Sequence, residues 1–409
     1  MRGGFSPSPF RIRAFDGLWV AGQGRVEGTV AELLFSTSLF RPFGSSAPGV
    51  PILVDAQMRL IEPACAWFLH LALVQGRTRS PATWRTYAEA LYDWWQTCEA
   101  NGWQWNHAGY EEAAAYRNRM LSGISNVTGR PYARSTINGR LRILALFYGW
   151  CAQRGLIAAV PFTTGELAVG RARVPHMLAH TDASGGRQKI NELTVRHTRP
   201  LPHALPIAEI RRVMEGMGAR DRLIAEWALM TGARRMEIAG LKLAQLPAAD
   251  SVRSEDRPVI PIRLEATKGA KPRHIYPPLA LIDRTRAYVR EERALAVRFG
   301  KRGEAEPALF LTDHGRALTP RRIGAAFADA CKRAGVTGTF HALRHTFAGA
   351  MLAFLQRQAQ RLPELNPLLT LQTILGHADP STTMIYLRML ATDLTAIEDA
   401  LGDLYEALA

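Results

Sequence analysis

Between about residue 57 and residue 160 apolar side chains return every three or four positions, a period that α-helices can bury and β-strands cannot. Leu60, Ile61, Ala64, Cys65, Phe68, Leu69 and Leu73 make one such stripe. Pro81, suited to a first helical turn, opens a second helix in which Tyr87, Leu91, Trp94, Trp95 and Cys98 face inward until Gly102 ends it. A third helix is expected over roughly Tyr110 to Leu121, and a fourth from near Ser135 to Gly155 with Ile137, Leu141, Leu144, Phe147, Tyr148 and Cys151 inside. Four amphipathic helices of this length need one another's apolar faces, so residues 56–160 are expected to form a helical domain. Arg130 and Arg134 stand just before the last helix, and Arg140 and Arg142 fall on positions read as outward, a cluster suited to gripping phosphates or simply to meeting water.

The flanks are less regular. Residues 1–55, rich in Gly, Pro, Ser and Phe, form an N-terminal extension without a catalytic motif; Arg2, Arg11, Arg13 and Arg25 suit a nucleic-acid arm, and a packing role suits the segment equally. Residues 161–203 lack any sustained period and are expected to be a long linker, which would let two domains close as a clamp. Residues 204–409 form the second domain. Helices are expected over Pro206–Met217, Asp221–Met230, Leu279–Phe299 and Arg321–Ala334, a short strand at Leu309–Leu311, and a hairpin pairing Val259–Leu264 with Arg273–Tyr276 that carries Lys268 at its tip. The chain is thus mainly α with a small β-sheet.

Lysine and arginine number 51 against 36 aspartates and glutamates, a formal charge of +15, which points to a polyanionic partner, most simply nucleic acid. Cys65, Cys98, Cys151 and Cys331 stand singly in apolar or helical contexts, so neither a disulfide framework nor a metal site is expected, and a reducing compartment is. A membrane span is not expected, since no run of about 18 apolar residues occurs, nor is a signal peptide, since Arg2, Arg11 and Arg13 are followed by no continuous apolar stretch. A soluble cytoplasmic protein follows.

Chemistry-bearing residues gather in the second domain. Leu368, Leu371, Ile374 and Leu375 fall at helical spacing before Gly376, a residue suited to the left-handed position that ends a helix, and His377 follows in the loop. Asp379 and Pro380 read as the N-cap and first residue of a new helix carrying Tyr386. Upstream, His341 and Arg344 are i, i+3 neighbours on one helix face, and Arg234 stands three residues before Glu237 at the start of a short helix. Singly, each has a plain reading: a packing tyrosine, a solvated histidine, an arginine paired with a nearby carboxylate.

In the order Thr231-Gly232-Ala233-Arg234 with Glu237, Thr267-Lys268-Gly269, His341-Ala342-Leu343-Arg344-His345-Thr346-Phe347, Leu375-Gly376-His377 and Tyr386, the chain resembles the tyrosine recombinase, or phage integrase, family. Leu309-Phe310-Leu311-Thr312 with Gly315 and Leu318-Thr319 also looks like the family's connector. The resemblance covers about residues 204–390 closely and the helical unit more loosely, as a core-binding (SAM-like) DNA-binding domain beside a mixed α/β catalytic domain, the two forming a clamp on DNA. It implies a site-specific recombinase that works through a 3'-phosphotyrosyl intermediate without ATP, metal or other cofactor. Tyr386 would be the nucleophile, Arg234 and Arg344 the cations on the non-bridging oxygens, and Lys268 the acid for the leaving 5'-oxygen. His341 would assist removal of the tyrosine proton, and His377 would donate to the phosphate. The implied partners are double-stranded DNA at specific sites, three further copies in a homo-tetramer, and accessory DNA-bending or directionality proteins, at the nucleoid, most simply for integration or excision of a mobile element. The chain departs from the family in having Ala342 where an acidic residue is frequent and in extra sequence at 356–367. An acidic, leucine-spaced tail over 391–409 is expected to dock on a neighbouring subunit or on its own domain. A type IB topoisomerase-like or telomere-resolvase-like strand transferase shares this chemistry, and a non-catalytic DNA binder shares the charge.

Overall fold

A computed structural model describes residues 19–21, 31–44, 46–75, 80–125, 128–168, 187–197, 201–247, 259–265, 272–300, 307–377 and 380–390. Lys268, Asp379, the N-terminal arginines 2, 11, 13 and 25 and the tail 391–409 lie outside them. The chain divides into two compact units, Met1–Thr198 and Arg199–Ala409.

The first unit is built on α1 (Glu62–Leu69, continued by a wider turn over His70–Val74), α2 (Pro81–Asn101), α3 (Tyr110–Ser122) and α4 (Arg134–Gln153). Pro81 occupies the first turn of α2, and Gly102 ends it in the left-handed conformation at φ 67°. The stripes meet in an aromatic core of Trp67, Phe68, Trp94, Tyr116, Phe147 and Tyr148. Each such side chain contributes about 1.5–3 kcal/mol by leaving water, and the polar atoms that go with them are satisfied. Tyr148 donates to Trp105 O at 2.6 Å and accepts from Trp94 Nε1 at 3.0 Å.

Two expectations for this unit need correction. The extension read as irregular supplies β1 (Trp19–Ala21), β2 (Glu32–Ser36) and β3 (Pro51–Val54), an antiparallel sheet in the order β1-β2-β3. Leu34, Ile52, Leu53 and Val54 join the helical core. These strands are too short to display a period, and their pairing is made across more than a dozen residues. In the stretch read as linker, β4 (Thr164–Ala168) pairs antiparallel with β5 (Arg187–Asn191), and Val195 exchanges hydrogen bonds of 2.9 Å with the Asn138 side chain on α4.

The second unit centres on α6 (Ala219–Thr231), preceded by α5 (Ile207–Glu215) and followed by the one-turn α7 (Arg235–Ala239). The expected hairpin is present as β6 (Ile262–Leu264) and β7 (Arg273–Ile275), with Ile262 opposite Ile275. Then come α8 (Leu279–Tyr288), a wider helical turn Val289–Arg293, and α9 (Ala294–Phe299). Leu309–Leu311 is buried but makes only isolated bridges, Ala308 to Lys242 and Leu311 to Ala317, rather than a strand. The unit closes with α10 (Pro320–Arg333), α11 (Phe340–Ala359), α12 (Pro367–Leu375) and α13 (Pro380–Leu390). Leu223, Ile224, Trp227, Phe327, Phe340 and Leu343 are among the residues of its main core, and Trp227 Nε1 donates to Thr285 Oγ1 at 3.0 Å. Phe347, Leu352, Leu371, Leu375 and Tyr386 form a second, smaller cluster where α11, α12 and α13 meet. All four cysteines are buried and free. No described helix is long and apolar enough to cross a membrane.

Candidate active site

The site is built around two helix ends. Gly232 ends α6 at φ 63° and Gly376 ends α12 at φ 62°, left-handed conformations that glycine adopts without strain. The carbonyls at such ends carry no intrahelical partner and concentrate negative potential. Arg344, on the first turns of α11, bridges them: Nη1 donates to Gly232 O, and Nη2 donates to Leu375 O at 2.7 Å. The same Nη2 donates to His377 Nε2 at 3.0 Å. These contacts use three of the five guanidinium N–H groups. Arg344 is 1% exposed, and burial, with Arg234 and Arg273 nearby, pushes its pKa down to about 9. It still carries its charge at neutral pH.

Arg234 directly precedes α7. Its backbone N–H donates to Glu237 Oε2 at 2.7 Å and its Nη1 to Glu237 Oε1 at 2.9 Å, while Nη2 reaches Gly376 O at 3.4 Å. The arginine is therefore paired with a carboxylate and aimed at the end of α12 together. Glu237 has no exposed side-chain surface. Although burial works to raise its pKa, hydrogen bonds and charge from Arg273, helped by Arg234, hold it below the ordinary carboxylate value.

Tyr386 projects from α13 into the small apolar cluster, 2% exposed. His345 Nδ1 lies 3.0 Å from its hydroxyl oxygen, and the His377 ring stacks on it at 6.3 Å with 7° between planes. Burial raises the tyrosine pKa against the opposing pull of Arg344 and Arg234. The two imidazoles are held neutral. Burial, then His341 and Arg344, lowers His345 to about 4, and burial, then Arg344 and Arg234, lowers His377 to about 3. In the tautomer protonated at Nε2, a neutral His345 can take the hydroxyl proton through Nδ1.

Sequence reasoning passed over His345. Its signal was present: it follows Arg344 directly and lies one helical turn beyond His341, whose ring meets it edge-on at 4.5 Å. His341 itself is exposed at the start of α11, whereas Arg344 is buried, so the two do not share one environment. His377, expected to donate to a phosphate, follows the glycine that ends α12. Its Nε2 accepts from Arg344 and its Nδ1 faces Thr383 Oγ1 at 2.9 Å, so both ring nitrogens already have protein partners. Lys268 lies outside the described residues; the strands on either side of it are in register.

Of the four arginines in the first unit, Arg130, Arg134 and Arg142 are exposed, and Arg134 donates to Arg196 O at 3.0 Å. Arg140 does not point outward as read. It pairs with Asp93 at 2.6 Å, lies over the Tyr132 ring at 5.0 Å, and shares that carboxylate with Arg119 and the Tyr116 hydroxyl. The half-buried carboxylate on α2 turns the arginine inward, and helical phase alone does not register that.

Residues 205–392 match the phage integrase family model. The chain is 32% identical over 291 residues to tyrosine recombinase XerC 2 of Ralstonia nicotianae, covering 69% of each. It is 27% identical over 323 residues to tyrosine recombinase XerC of Lactobacillus leichmannii, covering 78% of this chain and 92% of that one. Among solved structures, the Tn1549 transposon integrase in complex with transposon right end DNA aligns with a TM-score of 0.52 at 16% identity over 80% of this chain and 93% of its own. The XerH recombinase bound to its difH substrate aligns at 0.51 and 18% identity over 82% and 84%. With two guanidinium groups, a buried tyrosine hydroxyl against an imidazole and this kinship in hand, the chain belongs to the tyrosine recombinase family, site-specific enzymes that break and rejoin DNA strands by transesterification.

Proposed function

We propose that Tyr386 is the nucleophile of this recombinase and that His345, Arg344 and Arg234 are the groups that make its attack possible. The observation that carries this is the contact between the tyrosine hydroxyl and a neutral imidazole, 3.0 Å long, beside a buried guanidinium bonded to the stacked His377. In the step, the tyrosine oxygen bonds to phosphorus and the bond to the 5'-oxygen breaks. His345 takes the tyrosine proton, and the 5'-oxygen receives one from Lys268, leaving a 3'-phosphotyrosyl enzyme and a free 5'-hydroxyl. Arg344 and Arg234 neutralise the charge gathering on the non-bridging oxygens, and no cofactor is needed. His341 assists proton removal through its contact with His345. His377 holds Arg344 through Nε2 and, as the family resemblance implies, donates a hydrogen bond to the phosphate.

Arg130, Arg134 and Arg142 contact backbone phosphates of duplex DNA, in keeping with their exposure and with the charge of +15. One tyrosine makes one cut, and exchanging both strands of two duplexes takes four, so the working assembly is a homo-tetramer on synapsed DNA at a specific site. The tail 391–409 joins the subunits, and accessory DNA-bending proteins set direction. The biological task is integration or excision of a mobile element, carried out in the cytoplasm at the nucleoid.

The test is covalent capture. Purified protein and its Tyr386→Phe variant are mixed with fragmented source DNA that includes the flanks of the protein's own gene, and SDS-resistant adducts are sequenced. Adducts from the wild type alone, at one recurrent sequence in those flanks, are expected; equal adducts from the variant would remove Tyr386 from its role.

A further inference from the structure

Arg273 is a buried cation that no step above uses. It opens β7, is 8% exposed, and its guanidinium grips Glu237 at both ends, Nε to Oε1 at 3.2 Å and Nη2 to Oε2 at 2.6 Å. Nη1 turns the other way and donates to Ile374 O, in the last turn of α12, at 2.6 Å. The contact with α12 continues at Gly376, where an added Cβ would overlap Cδ of Arg273, so the arginine stem lies flat against the glycine. Glu237 in turn holds Arg234 through both its backbone and its guanidinium. The end of α12 holds Arg344 through Leu375 O and carries His377.

One side chain thus ties together the mounts of both phosphate-facing arginines. Two cations 2.6 to 3.2 Å from one carboxylate fix its plane, and Arg234 inherits that plane. A lysine would keep the charge, but as a single point it would not span Oε1, Oε2 and Ile374 O together. We propose that Arg273 is a positioning residue for strand cleavage: through Glu237 and the end of α12 it sets Arg234 and Arg344 to converge on the scissile phosphate. This rests on the assignment of Arg234 and Arg344 as the cations that neutralise the transition state.

The experiment compares wild type, Arg273→Lys and Arg234→Ala in single-turnover cleavage of a duplex bearing the sequence recovered by covalent capture. Each enzyme is given the natural phosphodiester and, separately, a neutral methylphosphonate at the scissile linkage. Removing the anionic oxygen removes the charge that the arginines serve. Arg273→Lys is expected to cleave the phosphodiester about 10²-fold more slowly than wild type, at unchanged DNA affinity, and to come within about threefold of it on the methylphosphonate. An equal loss on both linkages would overturn the proposal, because misfolding or a general loosening does not discriminate between them. Thermal melting of each variant separates these cases further: a rate defect that tracks melting alone also counts against positioning. If Arg234→Ala shows no such recovery, the assignment of the cations fails. If it recovers and Arg273→Lys does not, only the positioning role fails. A wild-type enzyme that leaves both duplexes intact removes the assignment and the proposal with it.

Discussion

A tyrosine is a useful nucleophile at neutral pH only when its proton has somewhere to go, and in this chain burial makes that need greater by raising the pKa of Tyr386. Replacing His345 by alanine is expected to slow adduct formation by about 10²- to 10⁴-fold while DNA affinity stays put. The defect should shrink as pH rises from 7 to 9, because hydroxide then does what the imidazole did; a pH–rate profile of His345→Ala parallel to the wild type would contradict this. Stability carries a second signature. Both His345 and His377 bind protons less readily folded than unfolded, with folded values of about 4 and about 3 against an ordinary 6.5. Below pH 6.5 the unfolded chain takes up protons that the folded chain refuses, so their contribution is whole above 6.5 and is lost as pH falls toward 4 and 3. The melting temperature should therefore drop between pH 7 and 4.5, and His345→Gln with His377→Gln should flatten that slope. At this scale the sequence displayed Arg234, Arg344, His377 and Tyr386 because each stands in a recognisable local phrase. Arg273 was silent for a physical reason: its importance comes from a partner 36 residues away, at Glu237, and no spacing rule reports such a contact; His345 had a local signal beside Arg344 and His341, but its partner Tyr386 stands 41 residues on.

Helices place the site by where they stop. The ends of α6 and α12 offer Gly232 O and Leu375 O to Arg344, and each end depends on a left-handed glycine. Substituting Gly376 by alanine imposes the strain of φ 62° and a clash with Arg273; a loss of about 1–3 kcal/mol is expected from the backbone alone. Denaturant unfolding measures it, and cleavage should fall by more than the folded fraction does. Gly232→Ala meets the Phe347 ring in the same way and tests whether both ends matter. Helices and the β6–β7 hairpin were legible because period, proline and glycine are local signals, and α12 ends where Gly376 said it would. The sheet β1-β2-β3 and the pair β4–β5 were not, since their paired strands stand across longer intervening stretches than the β6–β7 hairpin and short strands announce a partner only when a turn joins them closely.

For the molecule as a whole, a charge of +15 is a statement about counterions as much as about fold. Arg130→Ala and Arg142→Ala should each weaken DNA binding across sequences and reduce the slope of log affinity against log salt by about one. Arg140→Ala should behave otherwise. It leaves Asp93 with one arginine fewer in a largely buried setting, so the loss appears first in the melting temperature, with the salt slope unchanged. A full unit of salt slope lost with Arg140, at constant melting temperature, would restore it to the DNA-facing set.

The covalent bond between protein and DNA is where these scales converge, and mapping it tests the central claim most directly. Adducts formed on the captured sequence are digested with nuclease and protease, and the peptide that retains a nucleotide is fragmented by mass spectrometry. The account predicts a single modified residue, Tyr386, joined to a 3'-phosphate and leaving a 5'-hydroxyl on the partner strand. A nucleotide on another tyrosine, or on any other residue, would contradict it.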